Sequence, residues 1–166
     1  MKSLLFLAPL AVLALTACGE AKKPADAQPS ETAAAPDAKP GITVADGALS
    51  LPVVKGRPGA AYFTVTNGSA ATASLAAVSI DGAGKAEMHE TKGGAMAPLD
   101  ALEVKPGETV KFERGGKHVM VFDLAETVKA GGSAEMTLTF AGGDKVSVPL
   151  KVESIAGAMD MEGHGN

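Results

Sequence analysis

Histidine and methionine occur close together at several places in this chain. Met88 precedes His89, Met96 follows seven residues later, and the segment 117–120 reads Lys-His-Val-Met, with His118 and Met120 two residues apart. An imidazole nitrogen combined with a thioether sulfur is a ligand set suited to soft copper, above all Cu(I). The spacing of these residues therefore predicts a copper site.

The segment around His118 is expected to be a β-strand, with the predicted copper ligands near its first residues. Residues two apart face the same way on a strand, so His118 and Met120 project together. Phe122 and Leu124 continue that face, and one alternative is that the whole face is core, with His118 hydrogen-bonded inside it. Two details favour a site instead. The pair begins one residue after Gly115-Gly116, near a strand end, and His89 has a similar position at the end of its own predicted strand.

Met88 and His89 are neighbours and so face opposite ways on a regular strand. Only one of them can share a site with His118 unless the strand is bulged. We predict that it is His89, because Met88 aligns with Ala86 on a buried face; Met88 is kept as a possible auxiliary donor. Met96 lies in the glycine-rich segment 93–96, which predicts a loop from which the thioether swings in as a ligand. The predicted Cu(I) ligands are His89, Met96, His118 and Met120.

This arrangement resembles the periplasmic copper chaperone family PCu(A)C. The family pattern is His, ten residues, Met, twenty-one residues, then His-X-Met; here twenty-one residues separate Met96 from His118, and the closing triplet matches. His89 matches the opening residue, although only six residues separate it from Met96. The resemblance covers roughly residues 56–152 and includes the segments 57–63, 65–67, 87–91, 115–120 and 138–140.

The PCu(A)C resemblance carries expectations for fold and function. It implies a cupredoxin-like Greek-key β-barrel that carries copper in the periplasm, chiefly toward the binuclear copper centre of cytochrome c oxidase. The implied partners are copper ions and either cytochrome c oxidase subunit II or another periplasmic copper chaperone.

Short β-type runs separated by glycine-rich turns fill residues 41–153, the predicted copper-binding domain. Seven candidate strands cover residues 60–67, 73–80, 85–91, 108–113, 117–124, 134–140 and 145–152. No apolar stripe of 3.6-residue period is long enough to predict a helix. The fold class predicted from this pattern is all-β, a barrel or sandwich of about seven to nine strands.

The N-terminal residues are typical of a lipoprotein signal peptide, predicted for residues 1–18. Lys2 precedes an apolar run of twelve residues, Leu4 to Leu15, and the segment 15–18 resembles the bacterial lipobox. This predicts cleavage before Cys18 and its lipidation, which anchors the chain to a membrane; an ordinary signal peptide with an incidental cysteine is the alternative. Gly19, in place of aspartate, favours the outer membrane of a Gram-negative cell. Residues 19–40, rich in alanine and proline, are expected to form a disordered tether.

Cys18 is the only cysteine in the sequence, so a lipidated chain keeps no free thiol. That excludes a disulfide, a thiolate nucleophile and a blue-copper electron-transfer site from the folded domain. Copper oxidases and dismutases need more histidines than the domain offers, and no catalytic triad is visible, so no enzyme activity is expected. The net charge of −4 without a basic stripe argues against nucleic acid. The remaining alternative is an Ig-like structural or adhesion lipoprotein that binds no metal.

The C-terminal tail, predicted for residues 154–166, carries Met159, Met161 and His164 within a short polar stretch. We expect a flexible arm that collects copper as an auxiliary site. The alternative is an unstructured terminus whose methionines are there by chance.

Overall fold

The computed structural model of the chain describes residues 39–154. Cys18, most of the predicted tether and the tail residues Met159, Met161 and His164 lie outside this range. The described residues form ten strands and no helix: β1 Ile42–Leu51, β2 Gly59–Asn67, β3 Ala73–Ile80, β4 Ala83–Lys92, β5 Ala95–Pro98, β6 Leu102–Val104, β7 Thr109–Phe112, β8 Lys117–Leu124, β9 Ser133–Phe140 and β10 Lys145–Ser154. The all-β prediction is confirmed, and the number of strands exceeds the expected seven to nine by one.

The ten strands hydrogen-bond in the order β5-β4-β8-β7-β2-β1-β10-β9-β3-β6, and β8 pairs additionally with β2. The β1–β10 and β7–β8 pairs are parallel, and the others are antiparallel. Sequence neighbours such as β2 and β3 are far apart in this order, so the chain crosses repeatedly between the two halves of the sheet. This non-local strand order is what brings β4, β5 and β8 together at one edge.

A single apolar cluster holds the two halves together. Buried residues alternate with partly exposed ones along β2 and with exposed or partly exposed ones along β9, as the two-residue period of a strand with one core face requires. Phe63 of β2 stacks on Phe112 of β7 with ring centroids 4.2 Å apart, and Met136 and Leu138 of β9 belong to the same cluster. Because β2 and β9 are separated by two strands in the sheet order yet share one core, the sheet must fold over on itself.

Three strands were missed by the sequence pattern, each for a physical reason. In β1 the register with β2 shifts between Ala45 and Ala48, where Asp46 has a φ of 57°, so the alternation is interrupted by a bulge. Strand β6 is only three residues long. Strand β5 is short and has all four residues exposed, which leaves no apolar alternation to read.

The placement of Met96 in a loop is corrected by the structure, since Met96 lies within β5. Gly93 and Gly94 are the two residues between β4 and β5, and their φ values of 57° and 82° are those of the tight type I′ turn that joins antiparallel strands. The hairpin sets Thr91 opposite Met96. Met96 is therefore held in register with β4 by backbone hydrogen bonds.

Lys39, the first described residue, already contacts the rest of the domain. The ammonium group of Lys39 lies 2.7 Å from a carboxylate oxygen of Asp144, and the carbonyl of Lys39 accepts a hydrogen bond from the amide of Ile42. Strand β10 runs through Ser154, which is in register with Leu51 of β1. Within residues 39–154 there is no helix long and apolar enough to cross a membrane.

Candidate metal centre

The predicted ligands lie at the edge of the sheet formed by β5, β4 and β8. His89 of β4 is directly opposite His118 of β8 on one side and Pro98 of β5 on the other. On β8 the core face carries Val119 and Val121, both fully buried. His118 therefore projects to the other side of the sheet, so the alternative in which its whole strand face is core does not hold.

His118 is nevertheless shielded, with only 8% of its surface exposed, and both of its ring nitrogens have partners. Nδ1 lies 3.1 Å from the carbonyl oxygen of Gly116, and Nε2 lies 3.2 Å from the sulfur of Met96. A carbonyl oxygen can only accept, so Nδ1 is the protonated nitrogen and donates to it. In the neutral imidazole this leaves the lone pair of Nε2 directed at the thioether.

His89 completes a cluster of three donors. Its ring centroid is 6.0 Å from that of His118, with the ring planes tilted by 31°. Both ring nitrogens of His89 are buried from solvent and have no hydrogen-bond partner in the described part of the chain. Buried polar atoms nearly always find a partner in folded proteins. Two unpaired nitrogens beside a histidine–methionine pair indicate a site arranged for a ligand.

Met120 is on the same face of β8 as His118. Its register partners are Glu87 of β4 and Ala60 of β2. It lies two residues beyond His118, about 7 Å along the strand, and is partly exposed. The structure thus brings three of the four predicted ligands together and places the fourth beside them.

Met88 lies on the opposite side of β4, where it is 5% exposed and packs in the core. Its burial and the outward position of His89 agree with the alternation expected for adjacent strand residues. Met88 is therefore on the core side of β4, away from the face that carries His89. The other auxiliary candidates, Met159, Met161 and His164, are outside the described residues.

Carboxylates and amines surround the cluster. The ammonium group of Lys85 is 2.6 Å from Glu87, and this hydrogen bond lowers the pKa of the Glu87 carboxyl. Lys117 lies 2.8 Å from Glu90 and, with Lys92, lowers the pKa of that carboxyl. Both carboxylates are thus held in their ionised form. Among residues 39–154 no group of three His, Cys, Asp or Glu side chains is arranged to hold a metal.

Glu87 is the residue of this region that the sequence reading missed. Its carboxylate oxygen lies 3.6 Å from Nε2 of His89. The signal was present, because Lys85, Glu87 and His89 alternate with Ala86 and Met88 and so share the outer face of β4.

Comparison with known proteins assigns the chain to a family. A family model described as LpqE-like lipoproteins matches residues 42–152, all but the last two residues of the ten-stranded domain. The chain belongs to this LpqE-like family. A relative from Leifsonia xyli subsp. xyli, Lxx21020, whose name describes it as a lipoprotein, is 30% identical over 104 residues, covering 60% of this chain. The chain spans 63% of the length of that curated relative.

Solved structures of PCuAC domains share the fold of this LpqE-like chain. The copper-bound PCuAC domain from PmoF2 superposes with a TM-score of 0.60 at 24% identity, covering 69% of this chain and 93% of that one. The solution structure of CuI-DR1885 from Deinococcus radiodurans gives a TM-score of 0.55 at 26% identity, covering 80% of this chain and 88% of that one. These matches confirm the resemblance to PCu(A)C and the cupredoxin-like fold that this resemblance implies.

Proposed function

We propose that this protein is a copper metallochaperone that binds Cu(I) through His89, Met96, His118 and Met120. The observation that carries the proposal is the approach of His118 Nε2 to Met96 Sδ, at 3.2 Å, with Nδ1 of the same ring already donating to Gly116. Two of the solved relatives are named for copper, one as copper-bound and one as the CuI form. Their names support the choice of metal.

The approach of nitrogen to sulfur is that expected of a metal site. Without a cation, two lone pairs face each other across 3.2 Å with no proton to share. A soft cation between them would relieve this repulsion. If the bond lengths of tetrahedral zinc sites, about 2.0 Å to nitrogen and about 2.3 Å to sulfur, are used as a guide, the two donors would be about 3.5 Å apart. The observed separation needs only a small adjustment to reach that value.

We assign a carrier role and no catalytic one. Met96 is 53% exposed and lies on the edge strand β5, so an incoming ligand can reach the thioether and exchange for it. His118, in contrast, is shielded and tied to Gly116, which suits the ligand released last. We propose delivery in the periplasm toward cytochrome c oxidase subunit II or another periplasmic copper chaperone, as the PCu(A)C resemblance implies.

We further propose that the domain works from a membrane anchor. The lipobox-like segment ending at Cys18 and the lipoprotein family to which the chain belongs both support a lipidated N-terminus. In this arrangement residues 19–40 serve as the tether, residues 41–153 as the copper domain and residues 154–166 as an accessory arm. Gly19 after the cysteine favours the outer membrane where the cell has one.

The test is to replace His118 by Ala and measure Cu(I) affinity by competition with a chromophoric Cu(I) chelator. We expect affinity to fall at least tenfold, about 1.4 kcal/mol, while circular dichroism still shows the β fold. His164→Ala, which removes the histidine outside the domain, is the matched control and should keep the tight site. Unchanged Cu(I) binding in His118→Ala would falsify the assignment. A wild-type domain that binds no Cu(I) would favour the metal-free structural lipoprotein.

A further inference from the structure

We propose that Glu87 is a positioning residue of the metal centre, whose carboxylate accepts a hydrogen bond from Nε2–H of His89 and so makes Nδ1 the copper-binding nitrogen of that ring. The part that concerns copper rests on the proposed function. The hydrogen bond itself can be tested in the metal-free protein.

The position of Glu87 follows from the strand. It lies two residues before His89 and shares its face, and it is directly opposite Met120 on β8. Its Oε2 atom is 3.6 Å from Nε2 of His89, slightly beyond hydrogen-bond distance. A small rotation of either side chain closes the gap, because the glutamate is partly exposed and has room to move.

Lys85 orients this carboxylate. Its ammonium nitrogen lies 2.6 Å from Oε1 of Glu87, which leaves Oε2 as the oxygen directed toward His89. Lys85, Glu87 and His89 therefore form a row along the outer face of β4, in which the amine holds the acid and the acid faces the imidazole.

The chemistry of metal ligation requires an acceptor at this place. An imidazole that binds a metal through one nitrogen must keep its proton on the other, and in most known sites that N–H is donated to a carboxylate, a backbone carbonyl or a water molecule. His118 uses the carbonyl of Gly116 for this purpose. His89 has no such carbonyl, and both its nitrogens are buried without a partner among the described residues. Oε2 of Glu87 stands where the acceptor is needed.

The two imidazoles would consequently bind copper through different nitrogens. His118 presents Nε2, because Nδ1 donates to the backbone. His89 presents Nδ1, because Nε2 donates to Glu87. The two acceptors differ in how firmly they are held. The carbonyl of Gly116 also accepts a hydrogen bond from the amide of Thr91, whereas the side-chain carboxylate of Glu87 can release its partner.

The experiment compares Glu87→Ala, Glu87→Gln and Glu135→Ala in the otherwise unchanged protein. Glu135 is an exposed glutamate on β9, outside this edge of the sheet, and serves as the matched control. Cu(I) affinity should fall about 10- to 100-fold in Glu87→Ala, the usual effect of removing a partner of a metal-bound histidine. It should stay within about threefold of wild type in Glu87→Gln, whose amide oxygen still accepts the hydrogen bond, and be unchanged in Glu135→Ala.

A second readout needs no copper. Nitrogen-15 shifts of the His89 ring in the metal-free wild type should report the Nε2–H tautomer, and Glu87→Ala should lose that preference while His118 keeps its Nδ1–H form. The proposal is overturned if His89 is Nδ1–H in the wild type, if Glu87→Ala binds Cu(I) normally, or if Glu87→Gln is as weak as Glu87→Ala. If the wild type shows the Nε2–H tautomer but binds no Cu(I), the hydrogen bond between His89 and Glu87 is supported and only the proposed copper function is contradicted.

Discussion

At the residue scale, two methionines on the neighbouring strands β4 and β5 have different roles. Met88 is buried among apolar side chains, whereas Met96 is half exposed with its sulfur against His118. The same thioether fills space in the first case and is available as a soft donor in the second. The surroundings of each side chain therefore decide whether a methionine packs in the core or can bind a metal.

A matched leucine series tests this distinction. Leucine keeps roughly the volume of methionine but has no sulfur, so Met88→Leu should cost under about 1.5 kcal/mol of stability and leave Cu(I) affinity unchanged. Met96→Leu and Met120→Leu should each lower Cu(I) affinity by about tenfold or more with little change in stability. Affinity is measured by chelator competition and stability by urea unfolding. Equal losses of affinity in all three variants would contradict the assignment.

At the element scale, the β4–β5 hairpin determines whether Met96 can reach the site. The turn is formed by Gly93 and Gly94 alone, both with positive φ, and an added Cβ at either glycine would meet no atom within 4 Å. A side chain there would be strained by the backbone conformation and not by crowding. The close turn explains how six residues between His89 and Met96 suffice where the PCu(A)C pattern has ten.

An alanine at position 94 would have to adopt the left-handed conformation. Gly94→Ala should therefore lower the free energy of unfolding by about 1–2 kcal/mol and loosen the hairpin. Gly131 is a matched control, because its φ is also 82° and its surroundings are equally open, but it lies between β8 and β9, outside the hairpin. Gly94→Ala should weaken Cu(I) binding by several-fold, whereas Gly131→Ala should cost similar stability and leave binding unchanged. Equal Cu(I) affinities in the two variants would show that the turn does not position Met96.

At the scale of the whole molecule, the described domain contains one converged donor cluster, and the remaining histidine and two further methionines are in the C-terminal tail. Strand β10 pairs with β1 as far as Ser154, the last described residue, which is in register with Leu51. A tethered arm that binds copper raises the effective concentration of the metal near the domain without needing high affinity of its own. Cu(II) prefers nitrogen and oxygen donors, so His164 should matter most for the oxidised ion.

Truncation after Ser154 tests the arm. The shortened protein should retain one tight Cu(I) site, because every proposed ligand of that site lies within the domain. It should lose part of its total copper stoichiometry or its Cu(II) affinity, as followed by titration calorimetry. If neither quantity changes, the tail is only a chain end. Loss of the tight Cu(I) site itself would mean that the domain cluster is incomplete without the tail.

The sequence by itself determined the features that depend on local pattern. Two-residue alternation gave the all-β class and placed Met88 in the core and His89 outside it, since neighbouring strand residues must face opposite ways. The types and spacing of histidine and methionine indicated a soft metal, because ligand softness belongs to the side chain and needs no fold.

Only the tertiary structure decided the relations that depend on strand pairing. The register of β4 with β8 set His89 opposite His118, and the short β5, invisible as a pattern, turned an expected loop ligand into a strand residue. The nitrogen that His118 presents follows from the carbonyl of Gly116, and the closeness of Glu87 to His89 follows from side-chain placement. These are contacts of a few ångströms between residues brought together by non-local hydrogen bonds, and a linear pattern does not specify them.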